Sequence, residues 1–150
     1  MAPTTIRLAK PDDVPAITDL CRQLGYASEV EQVHRRFAEI VDRSDHAVFV
    51  AERSEAGVVG WVHVYLSDLL ERDRQAEIGG LVVDEAQRGS GAGRLLMQSA
   101  ELWTRQHGGR TICLRSNVVR EEAHGFYGRL GYENVKTSYT FRKALPPAVT

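Results

Sequence analysis

The chain is 150 residues long, 43% hydrophobic and 26% charged, with a formal net charge of −1. That balance, without any Lys/Arg block, speaks against a partner held through a phosphate backbone, so no nucleic-acid partner is expected. The start, MAPTTIRLAKPDD, lacks the apolar centre of a signal peptide and no apolar run approaches a membrane span; one cytoplasmic domain over residues 1–150 is expected, with no membrane association.

Ile6-Arg7-Leu8 reads as a short first strand. Asp12 or Asp13 can cap a helix carrying Val14, Ile17, Leu20, Cys21 and Leu24 on one face, and Gly25 ends it. Tyr26 falls in the linker, where side chains can meet a substrate. Ser28-x-x-Glu31 matches a capping box, and Val30, Val33, Phe37, Ile40 and Val41 follow at helical spacing. Residues 47–52 and 58–66 read as a strand pair around a turn at 54–57, with Val62, Val64 and Leu66 on one face and Trp61, His63 and Tyr65 on the other. A third strand is expected over 75–83. Its Gly79-Gly80 pair marks a bulge or a close approach of another backbone.

The stretch from Gly79 to Met97, GGLVVDEAQRGSGAGRLLM, organises the rest. Leu81-Val82-Val83 is a buried strand end, 84–87 a polar turn, and the glycine-rich run 88–93 opens a helix reaching about His107. Ala92, Leu95, Leu96, Ser99, Leu102 and Trp103 share its apolar face. A glycine-rich loop at a helix N-terminus collects unpaired N–H groups and the positive end of the helix dipole, which suits a phosphate, and Arg88 and Arg94 add formal charge. The P-loop pattern fails, since no Gly-Lys-Ser/Thr follows Gly89 at the required spacing. The dinucleotide pattern fails because its third glycine would fall on Arg94.

Thr111 to Arg115 is a further strand, completing a right-handed βαβ unit with the preceding strand and helix. Asn117 precedes a helix bearing Ala123, Phe126, Tyr127 and Leu130 and closed by Gly131, and residues 132–135 and 138–143 read as one or two closing strands. Cys21 and Cys113 have no CxxC spacing and no His partner, so they read as small core residues in a reducing compartment, and no metal site is expected.

Arg88-x-x-Gly91-x-Gly93 resembles the Q/R-x-x-G-x-G/A signature of the GNAT superfamily of acetyl-CoA-dependent N-acetyltransferases. Asn117 with Ala123-His124-Gly125-Phe126-Tyr127-Gly128-Arg129-Leu130-Gly131-Tyr132 resembles the family's Asn…A-x-x-FY-x-x-x-GF/Y helix, and the element order matches over nearly the whole chain. The resemblance implies an α/β fold (α+β by some schemes): a mixed central sheet of six or seven strands flanked by four helices and splayed between the fourth and fifth strands. It implies acetyl-CoA as co-substrate, bound by Leu81, Val82 and Val83 along the splayed strand, by Arg88, Gly89, Ser90, Gly91, Ala92, Gly93 and Arg94 in the loop, and by Asn117 and Tyr127.

The same resemblance makes Tyr127 the proton donor to the departing thiolate. A phenol suits that role because it stays protonated near neutral pH. Asn117 contacts CoA or an ordered water, or caps its helix; the two roles are compatible. Glu77 matches the glutamate with which some members deprotonate the amine, often through water. Trp61, His63 and Tyr65 are candidates to line the acceptor cleft, Asp68, Glu71 and Asp73 to attract a cationic amine, and Arg115-Ser116, Arg120 and Tyr139 are weaker ones. The expected reaction is direct transfer to a primary amine of a small molecule in a ternary complex. A peptide or protein amine is the alternative acceptor, and a non-catalytic acyl-CoA sensor the alternative class. A homodimer is common in the family.

Overall fold

The computed structural model describes residues 3–148. The chain forms two compact units that meet in sequence between Arg115 and Ser116. The first holds β1 (Thr4–Leu8), α1 (Val14–Gln23), α2 (Val30–Ile40), β2 (His46–Arg53), β3 (Gly57–Leu69), β4 (Arg72–Val83), α3 (Ala92–Gln106) and β5 (Ile112–Cys113). The second holds α4 (Glu121–Arg129).

The sheet order is β1-β2-β3-β4-β5, antiparallel throughout except for the parallel β4–β5 pair that the α3 crossover makes possible. Val62 and Val64 lie fully buried on one face of β3, as alternation demands. There α3 packs, with Leu96 reaching Gly60. Leu96, Met97, Ala100 and Trp103 join Val14, Ile17, Val50 and Val59 in a core made entirely by the first unit. The buried stripe of α3 is rotated from the expected one: Met97 and Ala100 are inside, whereas Leu102 is 53% exposed.

Three expectations about helix ends change. Asp13 precedes α1 but caps no helical N–H; its carboxylate instead accepts from Lys10 N at 2.8 Å and from both Arg7 terminal nitrogens at 2.8 Å, tying the helix entry to β1. Ser28 does not cap α2. It is buried and its carbonyl accepts from Arg22, so Glu29, whose backbone is extended, takes the cap position, and Gln32 Oε1 accepts from Glu29 N at 3.3 Å. The third helix starts only at Ala92, late in the run 88–93 expected to open it, because Gly91 sits in the left-handed region with φ 88° and cannot belong to a right-handed helix.

Among the described residues the sheet has five strands, not six or seven. Residues 132–148 carry no strand, and Tyr139 and Phe141 are 91% and 92% exposed. Their alternating pattern is that of a strand, but alternation stabilises one only beside a neighbour that pairs its backbone, and no described residue pairs with them. The fifth strand is also shorter than the expected 111–115: it meets β4 only at Ala76↔Ile112 and Glu77↔Cys113. No helix among the described residues is long and apolar enough to cross a membrane.

Candidate active site

β4 is paired on both sides only at Ala76 and Glu77, and on one side afterwards. Two hydrogen bonds fix which way its backbone groups point. Ala76 N donates to Thr111 O at 2.9 Å, so Ala76 turns toward β5; Asp84 N donates to Val59 O at 2.8 Å, so Asp84 turns toward β3. Alternation from Ala76 turns Glu77 to β3 and Ile78 to the open side. Alternation back from Asp84 turns Val82 to β3, and Leu81 and Val83 to the open side. The two phases collide at Gly79, which faces no residue of β3, since Ile78 pairs with Val64 and Gly80 with His63. The expected bulge is there, and it presents the Leu81 and Val83 backbones along an open edge. Val82 plays a different part: its backbone belongs to the β3 ladder and its side chain is 4% exposed.

The glycines at the bulge admit rings. A Cβ on Gly79 would stand 2.7 Å from His63 Nδ1, and one on Gly80 would stand 2.8 Å from the Trp61 ring. The close approach read from the sequence is therefore made by two side chains of β3, not by another backbone.

Beyond Val83 the open edge runs into the loop. The Asp84 side chain accepts from Ala86 N at 3.1 Å and shapes a single 3-10 turn. Arg88, Gly89 and Ser90 then follow, all exposed, with Gly89 at φ 84° and Gly91 at φ 88°, so the loop needs glycine at both places. The first helical bond is Leu95 N to Gly91 O, while Ala92 N finds only Ser90 Oγ at 3.4 Å. The N–H groups of Gly93 and Arg94 have no i−4 carbonyl inside the helix, so they remain at its positive end. Arg88 and Arg94 are exposed, and neither makes a salt bridge among the described residues. All seven expected loop residues come together here, except that the Ala92 side chain is buried beneath the helix.

On the face that carries Trp61, His63 and Tyr65, Glu77 is 4% exposed and bonded through both oxygens. Its Oε2 accepts from Arg115 Nη1 at 2.6 Å and from the Tyr65 hydroxyl at 3.3 Å; its Oε1 accepts from Gln75 Nε2 at 3.2 Å, with Arg72 Nη2 at 3.7 Å. Burial alone would raise this carboxyl's pKa. Hydrogen bonds from Arg115 and Gln75, with the guanidinium charge, outweigh it and hold the group below the ordinary carboxylate range. Burial and the Glu77 charge push the Tyr65 phenol up. Beside this network His46 stacks on His63 and Tyr65 at centroid distances of 5.1 and 5.4 Å, and His46 Nδ1 lies 2.9 Å from His63 Nε2.

His46 carries no local sequence signal; its place opposite Tyr65 follows only from the hairpin register. Arg115 was a weak candidate. Its signal was the parallel register: Cys113 pairs with Glu77, and two residues further along a strand returns to the same face. Asp68 is bonded to Arg74 at 2.9 and 3.0 Å, so it is not a free attractor for an amine, and Tyr26 is exposed in its linker.

Asn117 does not cap α4: its Oδ1 accepts from Val119 N at 3.1 Å in a turn, its carbonyl accepts from Arg120 N at 3.0 Å, and Arg120 occupies the cap position. Tyr127 is half-buried, meeting Phe126 and Tyr132 edge-on at 5.2 and 6.1 Å. Burial raises its phenol above the usual value against a lowering by Arg120, so it is protonated at neutral pH.

Comparison with known sequences decides the family. A family model described as Acetyltransferase (GNAT) family matches residues 14–132. The chain belongs to the GNAT family of acetyltransferases. It is an acyl-CoA N-acetyltransferase, and the α/β fold is that of the family. An aminoglycoside N(6')-acetyltransferase type 1 of Stenotrophomonas maltophilia is 29% identical over 148 residues, 96% of this chain and 95% of that protein. An aminoalkylphosphonate N-acetyltransferase of Salmonella typhimurium is 30% identical over 143 residues, 93% and 90% of the two chains. Among solved structures, the aminoglycoside N-acetyltransferase AAC(6')-Iy in complex with CoA superposes with a TM-score of 0.86 at 17% identity, over 97% of each chain. That likeness concerns the fold.

Proposed function

We propose that this GNAT protein transfers the acetyl group of acetyl-CoA to a primary amine of a small molecule, by direct attack within a ternary complex. The observation that carries the reading is the open β4 edge, which begins at the Gly79 bulge and ends in the Gly89–Gly91 loop at the start of α3. A strand edge with free N–H and C=O groups suits an extended diamide arm, which pairs with it as an added strand would. The loop's unpaired N–H groups suit a pyrophosphate, with Arg88 and Arg94 supplying charge. Acetyl-CoA supplies an activated acyl carbon and a thiolate leaving group.

In this reading Leu81 and Val83 hold the arm through backbone groups, Val82 keeps the strand in the sheet, and Gly89 through Arg94 hold the phosphates. We assign Tyr127 to protonating the departing thiolate, a role for which a phenol that stays protonated is suited. Asn117 is assigned a contact with the co-substrate or with a water at it. Glu77 is assigned to holding Tyr65 and Arg115 in place, since both its oxygens are already bonded. Both full-length relatives are named for small amine-bearing acceptors, an aminoglycoside and an aminoalkylphosphonate, which supports the acceptor class.

The test is release of CoA thiol from acetyl-CoA with kanamycin, 2-aminoethylphosphonate, spermidine, free amino acids and short peptides, in the wild type and Tyr127→Phe. The expected result is release that depends on one small amine and falls about 100-fold in the variant. Release confined to peptides, or acetyl-CoA binding without release on any amine, contradicts the proposal.

A further inference from the structure

Glu77 is the obvious carboxylate on the Trp61–His63–Tyr65 face, yet its hydrogen-bonding capacity is almost filled. The groups around it are similarly committed: the Tyr65 hydroxyl donates to Glu77, and His46 Nδ1 is bonded to His63 Nε2. His63 Nδ1 is different. It has no hydrogen-bond partner among the described residues, and it lies against the bulge, where only the missing side chain of Gly79 leaves it room. The other unbonded nitrogen of the pair, His46 Nε2, belongs to β2, one strand farther from β4. The His63 ring is held in orientation by the 2.9 Å bond to His46 and by stacking on it.

We propose that His63 Nδ1 accepts the proton that the acceptor nitrogen sheds as it becomes an amide, with His46 as the positioning residue that fixes the His63 tautomer. The proposal rests on the acetyl-transfer reading above. The nitrogen–carbon bond forms and the carbon–sulfur bond breaks. The surplus proton on nitrogen passes to His63 Nδ1 and, after product release, to water. The thiolate takes its proton from Tyr127, which recovers one from water. For Nδ1 to accept, Nε2 must carry the hydrogen and donate it to His46 Nδ1, so one hydrogen bond sets the tautomers of both rings.

The electrostatics agree with the geometry. Burial, with the His46 charge adding to it, pushes His63 down to about 4, so the ring is neutral and its lone pair open at pH 7. The facing groups are Asp45 and Arg43 just before β2, Tyr65 on β3, and Glu77 on β4 with its partner Arg115. So weak a base does not strip a free alkylammonium, whose pKa is about 10 as in lysine. It takes the proton of a nitrogen already bonded to the acyl carbon, which is far more acidic. The amine must therefore arrive neutral, and turnover rises with pH toward the amine's own pKa instead of following a histidine limb near 6.5.

The experiment has two arms. In the first, ¹⁵N NMR of the imidazoles in the wild-type protein without ligand reads the tautomer at pH 7. The expected spectrum has His63 neutral, hydrogen on Nε2 and none on Nδ1; a His63 imidazolium, or hydrogen on Nδ1, overturns the proposal. In the second, His63→Ala is assayed with acetyl-CoA and either kanamycin or 2-aminoethylphosphonate. Turnover is expected to fall about 100-fold or more with the KM for acetyl-CoA unchanged, and added imidazole to restore about tenfold of it. A folded variant that keeps wild-type turnover, or whose loss does not respond to imidazole, refutes the assignment. His46→Phe, which keeps the stack and removes the acceptor nitrogen, is expected to redistribute the His63 tautomers and alter the pH profile, which a merely structural role would not do. A wild type that acetylates neither amine counts against the small-amine reading, and the tautomer arm then decides His63 independently.

Discussion

The two halves of β4 work in opposite ways. From Ile78 onward its open side offers backbone groups that no strand among the described residues has taken, and Gly79 and Gly80 leave room there for the His63 and Trp61 rings. Before the bulge, Ala76 and Glu77 are laddered on both sides, and the chemistry there is carried by side chains bonded to one another: Glu77 with Arg115, Tyr65 and Gln75, and His46 with His63. One half is poised to receive an extended ligand because it is unsatisfied. The other is ordered because it is satisfied. A bulge of a single residue separates them, and it inverts the backbone phase of everything that follows.

That contrast can be broken from either side. The largest effect is expected at the satisfied end. Glu77→Gln removes the charge that Arg115 and Tyr65 address, and a buried hydrogen-bonded charge is worth roughly 2 kcal/mol, so urea unfolding should show a loss of that size. Calorimetry should find acetyl-CoA affinity unchanged, because the open edge is untouched.

The sign of the pH dependence follows from the depressed Glu77 pKa. The stabilisation is fully present above the unfolded value of about 4.3 and is lost as pH falls through the lower folded value. Wild type should therefore lose stability on acidification through that window more steeply than Glu77→Gln. Equal slopes would place the carboxylate outside the stability of this region.

A smaller effect is expected at the open end. Gly91→Ala forces a side chain into the left-handed region at a cost of about 1–2 kcal/mol, which should weaken acetyl-CoA about tenfold and leave the KM for the amine alone. Smallest is Arg88→Gln, which removes one exposed charge beside the loop. A loss of only a few-fold is expected, shrinking as salt is raised past about 0.15 M, and titration at two ionic strengths checks it.

The open half was the more legible in sequence. Gly79-Gly80, Arg88-x-x-Gly91-x-Gly93 and the strand before them are local patterns, and each requires its residue for a backbone reason that composition displays. The side-chain half was legible only in part. Trp61, His63 and Tyr65 follow from alternation along one strand, but His46 joins them through the register of a hairpin with a bulge between Ala51 and Glu52, and Arg115 through the parallel register of a two-residue strand. Neither register is a property of a short stretch. The helix ends misled for a related reason: Asp13 and Ser28 are good caps in isolation, but the Asp13 carboxylate is taken by Arg7, and Ser28 is buried with its carbonyl held by Arg22. The closing strands failed because alternation around Tyr139 and Phe141 states a preference for a face and says nothing of whether a neighbouring edge is available.

Amide hydrogen exchange along β4, with and without acetyl-CoA, tests the central contrast most directly. Leu81 and Val83 should exchange readily in the free protein and become protected when acetyl-CoA is added, while Val82, already laddered to β3, stays protected throughout. Unaltered exchange at Leu81 and Val83 under saturating acetyl-CoA, or a change centred on Val82, would contradict the account.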